Sequence, residues 1–298
     1  MRTLDYKALA AEAIIDHRRT RWYGVKLFLK RGAAVLSLVI LTLSILAAVF
    51  APWVAPHPEQ GRGAVNLEER LESPSRTHVL GTDAYGRDVL SRVIYGARIS
   101  ILGGFLIVFI AALIGVPLGL WAGYREGVPG ALISRLVELV LSFPSVLLAM
   151  AISIILGAGT YIAIIALIIP WWPWFTRLVQ GEVLSIKHMQ YVEAAQMLGY
   201  GRFYIMMRHL LPNILTPVIV MMLLDLGPAI IAIGLLSFLG LGTQPPMADW
   251  GLMVWEGAPN ILNEWWIATV PGCAMFILVT AFNIFGDALK EIIDPNRT

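Results

Sequence analysis

Two carboxylates are notable in this sequence because they lie within strongly apolar stretches. Glu138 stands in "LISRLVELVLSF" and Asp225 in "VIVMMLLDLGPAII". A charge placed in hydrocarbon is expensive, so a carboxylate at such a depth normally faces a cavity, a partner or water. We therefore take Glu138 and Asp225 as candidates to line a path across a membrane, and we include Ser142 and Ser237 in the same candidate set.

Each carboxylate also has a simpler explanation. Glu138 can lie near the membrane interface and pair with Arg135, which is three residues away and therefore on the same side of a helix. Asp225 can be a protonated acid that is hydrogen-bonded to a neighbouring helix. The sequence alone leaves both explanations open.

The positions of the histidines argue against catalysis by this chain. Intramembrane catalysis by a nucleophile and a base usually needs a histidine at depth. All five histidines fall in loops or at the edges of apolar stretches, namely His17, His57, His78, His188 and His209. The sequence also contains no glycine-rich loop ending in Gly-Lys-Ser/Thr, so we expect no ATP hydrolysis by this chain itself. Any work derived from ATP must then come from a partner.

The composition indicates what must position these residues. Of 298 residues, 58% are hydrophobic and 14% are charged, an apolar excess that a soluble globule does not need. The net charge of +2 gives no reason to expect a nucleic-acid partner. Apolar windows long enough to cross a bilayer predict an all-α membrane protein with six spans. The windows are 32–54, 99–123, 136–157, 160–180, 213–240 and 265–287.

The distribution of lysine and arginine predicts the orientation. Basic residues precede the first span and occupy the connections 123–135 and 181–212, whereas 241–264 has acidic residues and no Lys or Arg. Both termini are therefore expected in the cytoplasm. The expected units are a cytoplasmic amphipathic segment or positively charged tail (1–31), a first span that is a retained anchor (32–54), an extracytoplasmic loop (55–98), a core (99–290) and a cytoplasmic tail (291–298).

Two connections carry local patterns. In the 55–98 loop, Asp88 and Arg92 are four residues apart and are expected to form an ion pair on a helix. In the connection between the fourth and fifth spans, a helix is expected to end at Gly199, because glycine readily adopts the left-handed conformation that ends helices. A second short helix is expected at about 201–210. This unit is too polar to span and too patterned for a linker, so we interpret it as a docking surface.

The docking segment resembles a known signature. "EAAQMLG" followed by "RHLLPN" is similar to the cytoplasmic EAA loop of ABC importer permeases, and specifically to the C-type subunit of the dipeptide/oligopeptide/nickel family. The motifs "LGTDAYGRDVLSRVIYGARIS", "LSFLGLGTQPP", "WWIATVPG" and "FNIFGDALKEIIDP" extend the resemblance over about residues 52–295. By position, the loop residues that the resemblance assigns to ATPase coupling are Glu193, Ala194, Ala195, Gly199, His209, Leu211 and Pro212.

The resemblance implies a fold and a division of labour. The fold would be a type I ABC importer transmembrane domain, with EAA coupling helices at about 182–212, in the inner membrane of a prokaryote. The partners would be a second, B-type permease, two ATPase subunits that use ATP and Mg, an extracytoplasmic binding protein, and membrane lipid. The chain would bind no cofactor or metal, and its cargo would be a peptide, or else a nickel complex or an oligosaccharide.

Two hypotheses from other classes remain open. One is a secondary transporter that uses Glu138 or Asp225 for proton coupling, which the absence of a detectable internal repeat disfavours. The other is a membrane enzyme, which the lack of a histidine at depth disfavours.

Overall fold

The computed structural model describes residues 28–29, 31–125 and 127–293, with the side chains of residues 292 and 293 left aside. Within these ranges the chain is helical and forms no β-sheet. The expected N-terminal amphipathic segment and most of the C-terminal tail lie outside the described residues. The helices are α1 (Gly32–Val49), α2 (Ala51–Val54), α3 (Pro58–Gly61), α4 (Val89–Tyr124), α5 (Val128–Leu141), α6 (Ser145–Leu156), α7 (Thr160–Ile186), α8 (Gln190–Met197), α9 (Arg202–Ile205), α10 (Leu211–Phe238), α11 (Trp250–Gly257) and α12 (Trp266–Ile293).

The long helices account for the apolar windows. Five helices in the described part of the chain are long and apolar enough to cross a bilayer, and the pair α5–α6 makes a sixth if it is counted as one bent span. The five are α1, α4, α7, the continuous helix Arg202–Phe238 and α12. The all-α fold with up to six spans is therefore confirmed.

The sequence predicted one continuous span for the third window, 136–157, but the structure has two helices there. The chain breaks between α5 and α6, and the two helices meet at 85°. Pro144 causes the break, because it has no N–H to donate and its ring disfavours the helical conformation at Phe143. The 12 residues of α6 extend only about 18 Å, less than the ~30 Å of hydrocarbon.

The fifth span also begins earlier than expected. The short helix α9 runs through a π-helical turn (Met206–Leu210) directly into α10, so the expected separate helix at 201–210 belongs to a longer one. Pro212 does not interrupt this helix because it lies in the first turn of α10, where a proline is tolerated.

Helix α4 lies at the centre of the fold, between α7 and α10. Gly115, Gly119 and Gly123, four residues apart, face α7 so closely that an added Cβ would lie 2.5–2.8 Å from atoms of α7. The Thr176 hydroxyl donates across this contact to the carbonyl oxygen of Gly115 (3.2 Å). Small residues let two helices approach closely where no hydrophobic force between them is available in lipid. We call these three residues the glycine stripe.

The helices connect two ends of the molecule that we name by their residues. The loop end contains residues 55–88 and 239–265, and the coupling end contains residues 187–210. Since α4 has 36 residues and is about 54 Å long, its two termini belong to different ends. Asp88 caps its first turn at the loop end, and Tyr124 accepts a hydrogen bond from Gln196 at the coupling end.

Candidate coupling and translocation sites

The coupling end is built around the turn at Gly199. Gly199 has a φ of +80°, the left-handed conformation that the sequence predicts, and its N–H donates to the carbonyl of Gln196 (3.0 Å). The N–H of Tyr200 donates to Ala195 (3.2 Å), which closes the end of α8. No atom lies within 4 Å of where a Cβ on Gly199 would stand, so backbone conformation alone makes glycine the favoured residue there.

One face of this helix pair is anchored in the protein. Val192 and Ala195 of α8 are buried with Ile205 in a hydrophobic cluster that includes Val179 and Val183 of α7. The same cluster contains Leu120 of α4, together with Leu210 and Ile214 where the chain enters α10. The coupling end is therefore packed against the ends of three long helices.

The opposite face of the helix pair is exposed and partly apolar. Met197 is 87% exposed, and Leu198 and Phe203 are also exposed. Glu193 and Ala194 are exposed on the same helix, whereas Ala195 is buried. We call the residues Glu193, Ala194, Met197, Leu198 and Phe203 the docking surface.

The remaining signature residues lie where the coupling end joins α10. The ring of His209 lies 5.8 Å from that of Tyr204 and 6.4 Å from that of Tyr191, measured between centroids. Its Nε2 is buried and has no hydrogen-bond partner among the described residues. Leu211 and Pro212 form the first turn of α10, and Pro212 is exposed. The side chain of His209, which belongs to the π-helical turn, thus lies beside the rings of Tyr191 on α8 and Tyr204 on α9.

A basic cleft borders the coupling end. Its volume is about 460 Å³, and it lies between the end of α4 and the helix pair. The lining residues are Tyr124, Arg125, Lys187, His188, Gln196, Tyr200, Arg202 and Ile205.

The candidate path residues do not form a single site. Glu138 accepts a hydrogen bond from Arg135 (2.7 Å), and both side chains are exposed on α5. Ser142, also exposed, donates to the carbonyl of Leu139 (2.7 Å) at the break after α5. Asp225 and Ser237 are 12 residues apart on α10, which separates them by about 18 Å along the helix.

Asp225 and Ser237 each have a partner on another element. The indole N–H of Trp171 on α7 donates to the Asp225 carboxylate (3.3 Å), so this carboxylate is half-buried between two spans. Ser237 is fully buried, and its hydroxyl accepts from the backbone N–H of Thr243 (3.1 Å). It also faces the buried carboxylate of Asp249, which caps α11 through Leu252 N–H (3.1 Å). Burial raises the pKa of Asp249 to about 6.

The loop end contains a charge network that sequence reasoning missed. The expected Asp88–Arg92 ion pair is wrong. Arg92 instead binds Glu256 (3.0 Å), and Arg87 binds both Asp83 (2.7 Å) and Glu256 (2.8 Å). All of these side chains are buried, which links residues 83–92 to α11 across the loop end. The acidic, lysine-free and arginine-free composition of 241–264 was the available signal, because a buried Glu256 needs basic partners from elsewhere.

Asp88 has a different role from the expected one. One carboxylate oxygen accepts from Ser91 N–H (2.7 Å) and so caps α4, while the other lies 2.9 Å from Nδ1 of His78. Nε2 of His78 lies 3.2 Å from Glu69. Burial lowers the pKa of His78, but the hydrogen bonds and charges of Asp88 and Glu69 outweigh burial and raise the pKa above its ordinary value.

Comparison with known proteins agrees with this geometry. Residues 115–298 match the family described as "Binding-protein-dependent transport system inner membrane component", and residues 20–74 match "N-terminal TM domain of oligopeptide transport permease C". The chain is 39% identical over 286 residues to the probable D,D-dipeptide transport system permease protein DdpC of Escherichia coli K12, covering 95% of both chains. It is 40% identical over 266 residues to the dipeptide transport system permease protein DppC of Alkalihalophilus pseudofirmus, covering 89% of this chain and 86% of the relative. A third relative is the glutathione transport system permease protein GsiD of Pectobacterium atrosepticum, 37% identical with 93% and 92% covered.

A solved structure shows the same fold. A chain of the inward-facing methionine ABC transporter MetNI superposes with a TM-score of 0.56 at 20% identity, covering 67% of this chain and 96% of that one. The type I ABC importer fold expected from the signature is thereby confirmed. Permeases of this family work with ATPase and binding-protein partners and are transport components rather than enzymes. The chain belongs to the family of binding-protein-dependent transport system inner membrane components, as a C-type permease subunit of an ABC importer.

Proposed function

We propose that this permease forms half of the translocation path for short peptides. The support for peptide cargo is that the relatives are named for D,D-dipeptides, dipeptides and glutathione, and the chain aligns with them over most of its length. In this proposal an extracytoplasmic binding protein delivers the peptide to a pair of homologous permeases, this chain and a B-type subunit. Two ATPase subunits, which bind ATP and Mg, drive the cycle from the cytoplasm. The complex lies in the inner membrane of a prokaryote.

The observation that carries the coupling role is the docking surface. Met197, Leu198 and Phe203 are large apolar side chains exposed at the coupling end, and exposed apolar surface of this kind marks an interaction site. The turn at Gly199 joins the two short helices that carry these side chains, and a basic cleft lies beside them. A partner ATPase that offers an apolar groove with an acidic rim fits this surface.

The buried face of the same helix pair supplies the mechanical link. Val192 and Ala195 belong to the same hydrophobic cluster as Val179 and Val183 of α7, and α7 packs on α4 through the glycine stripe. Well-packed interfaces do not deform continuously, so displacement of the docked helices tilts α4 and α7 as units. Nucleotide-driven closure of the ATPases then shifts the permease between inward- and outward-facing states.

A pair of matched glycine substitutions tests this role. Gly199→Val places a β-branched residue at φ +80° and strains the turn by roughly 1–2 kcal/mol or more. Gly201→Val is the control, because Gly201 has a φ of −64° and an equally open Cβ position. We expect several-fold lower ATP-driven uptake of a dipeptide by proteoliposomes carrying the complete complex with Gly199→Val, and near wild-type uptake with Gly201→Val.

Two results would count against the proposal. Wild-type uptake and normal ATPase association in Gly199→Val would remove the docking role. Normal ATPase coupling without transport of any peptide delivered by the cognate binding protein would remove the peptide assignment alone, and the ligands that copurify with that binding protein would then identify the cargo.

A further inference from the structure

A cluster of two histidines and one aspartate lies at the loop end, remote from the docking surface. One ligand atom from each of His57, His78 and Asp88 can be chosen so that all three lie within 4.8 Å of one another. We propose that these three residues bind a divalent transition-metal ion of the zinc class. The site is independent of peptide transport and of ATPase docking.

The three residues come from segments that are already held in place. His57 precedes α3, and its backbone N–H donates to the Ser91 hydroxyl (2.9 Å). Asp88 precedes α4, and its own N–H donates to the Gln60 side chain (2.8 Å). His78 and Asp88 are 2% and 1% exposed, so both have little freedom to move. The cluster is therefore preorganised rather than a chance meeting of flexible side chains.

The outer nitrogens of the two histidines are bound in the way that metal ligands require. Nε2 of His57 lies 3.1 Å from the carbonyl oxygen of Thr77, and Nε2 of His78 lies 3.2 Å from the Glu69 carboxylate. Because both of these oxygens accept, each Nε2 carries a proton. A metal-bound histidine almost always donates its second N–H to a carbonyl or a carboxylate. The Nδ1 atoms remain as the ligands.

The distance between the His78 and Asp88 ligand atoms suits a small ion after a slight expansion. Nδ1 of His78 is 2.9 Å from Asp88 Oδ1. Ligands at ~2.0–2.1 Å from a tetrahedral zinc ion are about 3.3 Å apart, so an ion that replaces the shared proton moves these atoms apart by a few tenths of an ångström. The rings of His57 and His78 lie 4.7 Å apart and are inclined by 34°.

The ligand set and its access also favour zinc. Two imidazoles and one carboxylate form a set typical of zinc, and they leave a fourth position for water. His57 is only half-buried, so an ion can enter from the solvent side. A bound ion would join the start of α3 to the start of α4 and so fix the loop end onto the first turn of a central span.

Metal binding to the intact complex tests the proposal. The complex is solubilised, depleted of metal with a chelator, equilibrated with Zn²⁺ or Co²⁺, and freed of excess ion. We expect one Zn²⁺ per copy of this chain by elemental analysis, and a visible Co²⁺ spectrum of a four-coordinate nitrogen–oxygen site.

The informative variant is His57→Phe, which keeps a ring beside His78 and leaves the buried pair His78–Asp88 intact. Removing only the group that is hydrogen-bonded to a metal ligand typically lowers the metal affinity 10–100-fold. Removing the ligand itself should therefore weaken zinc binding by about tenfold or more. His188→Ala, at the exposed coupling end, is the matched control and should bind zinc as the wild type does. Zinc should raise the melting temperature of wild type and control more than that of His57→Phe.

The opposite results would overturn the site. Zinc at background level in the wild type would mean that His78 is held only by Asp88 and Glu69. Equal zinc affinity in His57→Phe and wild type would place any bound ion elsewhere. Both readouts are independent of uptake, so failure of the proposed transport function would leave the metal result unaffected.

Discussion

Asp225 and Trp171 join two spans through a hydrogen bond. Variants of this pair distinguish two roles for the carboxylate, namely acting on the cargo and linking α7 to α10. If Asp225 acts on cargo, Asp225→Asn should lower or redirect peptide uptake several-fold, because the charge is lost. Trp171→Phe removes the donor (3.3 Å) and keeps an aromatic ring, so it should leave uptake close to wild type. Uptake and membrane levels of the complex are measured for both variants. Equal loss in the two variants would show that the bond between α7 and α10, rather than the charge, is what matters.

Asp249 makes stability depend on pH. Its folded-state pKa of about 6 exceeds its ordinary value of 3.8, so its contribution to folding is fully present below the ordinary value of 3.8 and is lost as the pH rises from there through about 6. The loss is on the order of 3 kcal/mol at neutral pH. Asp249→Asn keeps the cap on Leu252 N–H without ionising.

The measurement is the difference in melting temperature between Asp249→Asn and wild type, in detergent, from about pH 4.5 to 7.5. All other titrating groups are shared by the two proteins, so the difference isolates Asp249. We expect the variant to gain stability relative to the wild type as the pH rises. A difference that stays constant across this range would contradict the prediction.

Among the elements, the contact of α4 with α7 depends on the glycine stripe. Gly119→Ala would place a Cβ 2.6 Å from the carbonyl oxygen of Thr176, a backbone atom that cannot move aside without shifting α7. We expect this variant to lower the melting temperature and the membrane level of the complex. Gly272→Ala on α12 is the control, since the nearest atom lies 4.0 Å away. Because alanine is favoured over glycine in helices by up to about 1 kcal/mol, the control should be neutral or slightly stabilising. Equal stability of the two variants would mean that α4 and α7 can move apart at the glycine stripe without loss of stability.

The predictable elements were those with a strong local signal. Apolar windows located the five continuous spans of the described residues, and Gly199 ended α8 in the left-handed conformation that its residue type favours. The break at Pro144 was missed because residues 136–157 read as one apolar window that runs through the proline, and the π-helical entry to α10 was missed because the polar residues at 201–210 suggested a separate short helix. The glycine stripe has the spacing of a helix face, but its partner on α7 is some 60 residues away and carries no matching pattern.

The contacts of the site residues likewise divide into those that local spacing predicts and those that it does not. The exposed pair Arg135–Glu138 was foreseen because helical spacing decides it locally. Arg92 was assigned to Asp88 by the same rule. The assignment failed because each side chain has a buried partner in another segment: Arg92 binds Glu256 on α11, and Asp88 binds His78. Local spacing predicts an ion pair only where no buried partner from another segment competes.

At the scale of the molecule, the loops pack into one body at the end opposite the coupling helices. Arg87 and Arg92 bring Glu256, from the connection before α12, onto the start of α4. The indole N–H of Trp266 adds a hydrogen bond to Thr82 (3.2 Å), and that of Trp250 bonds to Val93 (2.9 Å). Residues 55–98 and 241–264 must therefore lie on the same side of the membrane. If the basic 123–135 and 181–212 connections are cytoplasmic, as the rule for positive residues predicts, the loop end is extracytoplasmic.

Single cysteines at the two ends test this orientation. Leu262 at the loop end is 93% exposed and Val128, just beyond the end of α4, is 82% exposed, so neither substitution disturbs packing. In a Cys273→Ala background, a membrane-impermeant maleimide should label Leu262→Cys in intact cells. It should label Val128→Cys only after the cells are made permeable, because that position lies in the connection 123–135, whose net charge is positive. Val128 lies outside the docking surface, so a bound ATPase should not block the reagent there. The opposite result would be labelling of Val128→Cys in intact cells, with Leu262→Cys protected until the cells are made permeable. That result would show that the membrane orientation is the reverse of the predicted one, with the docking surface on the side without ATP.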